Sequence, residues 1–80
     1  MSKKLSVAEM KYIIYRVMKN GYESIDELRE DPCEFNEGRR LAYYEVLDTI
    51  YNQLGIYEQN QKDFGYSEDW ERKFLSNEEL

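Results

Sequence analysis

At 80 residues, with 17 acids against 11 bases and a net charge of −6, the chain is near the lower limit at which one apolar core offsets chain entropy without disulfides, metal or association. A single cysteine, Cys33, excludes an internal disulfide, and the lack of histidine leaves a zinc site only an unusual ligand set. One domain over residues 1–80, holding no cofactor, is the expectation.

The first helix is announced by Ser6 and Glu9, spaced as a capping box, and is predicted over 7–19 with Asn20 and Gly21 as its stop. Val7, Met10, Ile13, Ile14, Val17 and Met18 share one arc of it, fit to pack on a neighbour. The other side interleaves Lys11, Arg16 and Lys19 with Tyr12 and Tyr15, a pattern able to meet phosphates or the acids of a partner, and equally a solvated face. Glu9, Lys11 and Arg16 also interrupt the apolar stretch behind Lys3 and Lys4. It therefore reads as neither a signal sequence nor a membrane span, and a cytoplasmic protein is expected.

Ser24 and Glu27 form a second box, opening a short helix over 25–30 that Asp31 and Pro32 end. Asp31 and Glu34 form a third, with Pro32 between them, and predict the longest helix, 32–54, stopped by Gly55 with Ile56 against Tyr51. Phe35, Ala42, Tyr43, Val46, Leu47, Ile50 and Leu54 share its apolar side, with Tyr44 and Tyr51 at the edge. That stripe spans about half the circumference, where a simple surface helix needs about 100°. Leu41 alone is apolar on the polar side, either an ordinary exposed leucine or a contact with a partner. Gln59, Asn60, Gln61, Asp63 and Gly65 suggest a polar connection, and Ser67 caps a last helix over 68–75 whose Trp70, Phe74 and Leu75 close the core. Residues 76–80 are expected to fray. The fold class is all-α: three main helices and one short one, with 32–54 as the spine.

Charge is distributed unevenly. Residues 1–22 carry five bases against Glu9, whereas residues 23–37 carry seven acids, Glu23, Asp26, Glu27, Glu30, Asp31, Glu34 and Glu37, against Arg29 alone. Eight tyrosines, one tryptophan and three phenylalanines are more rings than so small a core encloses, and tyrosine is favoured at protein interfaces.

No nucleophile–base pair, glycine-rich phosphate loop or calcium loop is present, so a catalytic role is not expected. The order helix, short helix, long helix fits a helix-turn-helix reader carrying Arg39, Arg40, Tyr43 and Tyr44, but the acidic segment beside it would be repelled by phosphates, which argues against direct nucleic-acid binding. The same acids could instead mimic nucleic acid in the groove of a nucleic-acid-binding host protein, or only solubilise the surface. The run from Glu34 to Leu47 contains F-x-x-G-x-x-x-A-Y-Y-E-V-L, at Phe35, Gly38 and Ala42 to Leu47, and resembles a pattern in small helical proteins of Gram-positive prophages and other mobile elements. The resemblance implies a mobile-element accessory protein, such as an anti-CRISPR inhibitor, acting by contact. Taken together, a protein-binding module is expected, with Tyr12, Tyr15, Glu23, Asp26, Glu27, Glu30, Glu34, Glu37, Leu41 and Tyr44 as its contact surface. A homodimer pairing the basic first helix with the acidic segment of a second copy is the variant.

Overall fold

The computed structural model describes residues 4–75, and the segment 76–80 expected to fray lies outside them. Two long helices, α1 (Val7–Glu30) and α2 (Glu34–Ile56), form a hairpin, followed by a 3-10 turn (Gln61–Phe64) and a short helix α3 (Trp70–Leu75). The described residues are all-α, without strands, and none of their helices is long and apolar enough to cross a membrane.

The N-terminal box forms as the sequence requires. Ser6 Oγ accepts from the Glu9 amide at 3.1 Å, and Glu9 accepts from the Ser6 amide at 2.9 Å, holding the Glu9 carboxyl below its usual range. The predicted stop at Asn20 and Gly21 does not form: helices 7–19 and 25–30 are one continuous helix. Gly21 is buried, and an added Cβ would lie 2.9 Å from Phe74 Cζ and 3.2 Å from Leu47 Cδ1. This glycine permits close packing rather than a left-handed turn. Ser24, predicted as a cap, is buried and donates its hydroxyl to the Gly21 carbonyl one turn back. With helices one and two fused, the helix-turn-helix arrangement is not formed.

α1 ends where proline dictates. Asp31, forced from the helical region by Pro32, takes φ −141° and ψ 83°, and its amide donates to the Glu27 carbonyl at 2.8 Å. The third box is absent: Cys33 is the N-cap of α2, with no side-chain cap bond, and α2 starts at Glu34 instead of residue 32. Asn36, buried, steadies the three-residue turn by donating Nδ2 to the Asp31 carbonyl at 2.8 Å. α2 also runs through Gly55. The amides of Glu58 and Gln59 donate to the carbonyls of Gly55 and Leu54, and Glu58 adopts φ 59°. This is a Schellman stop with glutamate where glycine is usual.

A short turn makes the two long helices antiparallel, and the segment 61–75 lies along one flank of the pair. Phe64, Tyr66, Trp70 and Phe74 bury themselves there against Met18, Ile25 and Leu47. Trp70 is the hub. Its ring lies 5.0 Å from Tyr66, 5.5 Å from Tyr51 and 5.6 Å from Tyr44, within the range of favourable ring pairs. Tyr66 donates its hydroxyl to the Leu47 carbonyl at 2.7 Å, and an Arg40 guanidinium N–H caps the Phe74 carbonyl of α3. Ser67 does not cap a helix at 68, as α3 begins only at Trp70; its hydroxyl donates to Asp69 at 2.8 Å. Leu75, expected in the core, is 45% exposed.

Candidate protein-interaction surfaces

The residues expected to form one contact surface fall into three places. Tyr12 and Tyr15 are exposed on the outer flank of α1, ring centroids 6.2 Å apart, and Arg16 donates to the Tyr12 hydroxyl at 3.4 Å. Steps of three and four residues carry the same flank on through Lys19, Tyr22, Glu23 and Asp26. There, Tyr15, Met18 and Tyr22 with Gly65 enclose a cleft of about 340 Å³, edged by Lys19, Glu23 and Asp26. The Tyr15 ring and the Glu23 carboxylate suit a guanidinium or ammonium group there, while Lys19 shares the rim, Asp26 lies 3.9 Å from Arg29 and Lys73 sits 5.4 Å from the Tyr22 ring.

A second group surrounds the hairpin turn. Glu30, Glu34 and Glu37 are exposed and form no ion pair among the described residues. Glu27 turns aside, accepting from Arg39 of α2 at 2.5 Å, while the Arg39 guanidinium also sits 5.7 Å from the Tyr43 ring.

The third place is the far side of α2. Leu41 is 44% exposed there, four residues from both Glu37 and Glu45. Tyr44 does not join it. Its ring stacks on Trp70, and its hydroxyl donates to Glu71 at 2.9 Å, which with partial burial pushes the phenol up to about 12. Tyr44 thus packs on Trp70 and is half-buried.

Sequence reasoning missed a further surface. The segment 61–75 covers one flank of the hairpin through Met18, Gly21, Tyr22, Tyr44, Leu47 and Tyr51 and leaves the other open. On α1 the open row runs through Ile13, Val17 and Asn20 towards Glu27; on α2 it runs through Phe35, Arg39, Tyr43, Val46 and Ile50. The Glu27–Arg39 pair joins the two rows. Ile13 is 48% exposed, Val46 49% and Phe35 76%, although all three belong to stripes expected to face a neighbour. The signal was the breadth of those stripes. A half-circumference of apolar residues exceeds what one partner helix covers.

Of the eight tyrosines only Tyr66 is buried, while Tyr12, Tyr15 and Tyr57 stay exposed. The surplus apolar surface is therefore more aliphatic than aromatic. Among the described residues no three of His, Cys, Asp and Glu gather into a metal site.

The arrangement defines a helical hairpin buttressed on one side by a short aromatic segment, carrying an acid-edged flank and an apolar one. No protein-family model matches the chain, and neither a curated protein nor a solved structure does.

Proposed function

We propose that the chain is a non-enzymatic protein-binding module: a small acidic inhibitor or regulator of a phage or mobile element, acting by contact, with counter-defence of the anti-CRISPR kind as one such role. One observation supports this most, the cleft on α1 where the exposed Tyr15 and the half-buried Tyr22 adjoin Glu23 and Asp26. A basic surface of a nucleic-acid-binding protein would place an arginine there, its guanidinium over a ring and its N–H groups on carboxylate, with Glu30 and Glu34 extending the attraction around the turn.

The test compares capture from host lysate on immobilised wild-type chain and on E23K/D26K. The expected result is a partner held by the first and lost from the second, whose own binding to DNA or RNA falls when the wild-type chain is added. Identical retention on both, or a partner whose nucleic-acid binding is undisturbed, would remove this reading.

A further inference from the structure

We propose that the open flank of the hairpin is a dimer interface, and that its occupant is a second copy of this chain in antiparallel orientation. The flank is apolar along the middle of both helices, through Ile13, Val17, Tyr43, Val46 and Ile50. Along that middle its two charged residues, Glu27 and Arg39, are already satisfied by each other, and Glu9 at the N-terminal end of α1 accepts from the Ser6 amide. A copy pressed against it therefore meets no unpaired charge, which would be costly to bury.

A flank without unpaired charge along its middle is matched by the same flank of a second copy, and charge along the hairpin selects the direction. The half of the hairpin away from the turn holds Lys4, Lys11, Arg16 and Lys19 on α1 and its approach against Glu9, Glu45, Asp48 and Glu58 and is balanced, whereas the turn segment 23–37 holds seven acids against Arg29. Two copies related by a two-fold axis through the middle of the flank lay the balanced half of each beside the acidic turn of the other and keep the two turns apart. The same two hairpins in parallel would bring fourteen acids together at one end.

Size permits it. Helices of 24 and 23 residues are roughly 35 Å long, and two of them side by side present a face roughly 18 Å wide. Pairing such faces buries about 1,200 Å² in total, at the lower end of what specific complexes use. The product is a four-helix bundle with the aromatic segment of each copy on the outside.

Light scattering after size exclusion, over a concentration series, tests the idea on the wild-type chain and on I13E, V46E and L41E. The wild type is expected at twice 9.7 kDa. I13E and V46E are expected at half that mass with unchanged helical circular dichroism, because both positions are about half exposed in the single chain. L41E, on the other side of α2, is expected to keep the wild-type mass. A wild type at the mass of one chain throughout, or a dimer insensitive to both flank variants, overturns the proposal, and so does dissociation by L41E. E23K/D26K should leave the mass doubled, so failure of the dimer and failure of the acidic contact are read separately.

Discussion

Gly21 and Gly38 both lie inside long helices, yet replacing them with alanine should move stability in opposite directions. An interior glycine costs a helix about 1 kcal/mol relative to alanine. At Gly38 nothing lies within 4 Å of the added methyl, so G38A should recover that amount. At Gly21 the methyl would sit 2.9 Å from Phe74 Cζ, and 3.2 Å from both Phe74 Cε1 and Leu47 Cδ1, while Phe74 and Leu47 are fully buried. Overpacking of this kind costs about 1–3 kcal/mol, leaving a net loss of about 1 kcal/mol after the propensity gain. In urea, with a slope of about 1 kcal/mol per molar for so small a domain, the midpoint should fall by about 1 M for G21A and rise by about 1 M for G38A. Phe74→Leu removes the offending ring edge, so G21A made in that background should lose most of its penalty. If G21A stabilises the wild type as much as G38A does, the close approach of α1 to Phe74 is not what holds glycine there, and the packing argument fails.

The stop of α2 offers a second check. Glu58 holds φ 59°, a conformation costing a non-glycine residue about 1–2 kcal/mol, so E58G should raise the urea midpoint with the helical signal unchanged; a lower midpoint would contradict the Schellman assignment. Alkaline titration offers a third. Tyr44 is raised to about 12 chiefly by its bond to Glu71, and Tyr66 is raised chiefly by burial. Both phenols therefore lend stability that is intact below their ordinary value of 10.0 and is lost as the pH climbs through the raised values. Followed by phenolate absorbance, a late-ionising fraction should appear that Y44F and Y66F each diminish, and a single step for all tyrosines near the ordinary value would refute it.

The all-α class, the first capping box and the end of α1 before Pro32 were legible because each rests on contacts within a few residues. The breaks at Gly21 and Gly55 were misplaced for a physical reason. A glycine signals a stop only when its left-handed freedom is used, and here one serves close packing with Phe74, 53 positions along the chain, while the stop after α2 falls on Glu58. Ser24 likewise carries good capping chemistry that burial overrides, and Asp31 ends α1 while Cys33 takes the N-cap of α2. Of the candidate surface, Tyr15, Glu23 and Asp26 do converge, because they share one helix at steps a wheel can follow. The stacking of Tyr44 on Trp70 was not foreseen, and the open apolar flank went unseen. Both depend on where residues 61–75 dock, which no local pattern states.

That α1 is unbroken from Val7 to Glu30 has a consequence for valency. A stiff rod has no joint between Ile13 and Asp26, so the rotation separating its greasy side from its carboxylates is fixed. Two chains joined along the former must turn their carboxylates outward, in opposite directions. Under the proposed role such a pair would be two-headed: a target offering two arginine-bearing sites at the matching spacing would be gripped by avidity, and a single-site target by only one head at a time.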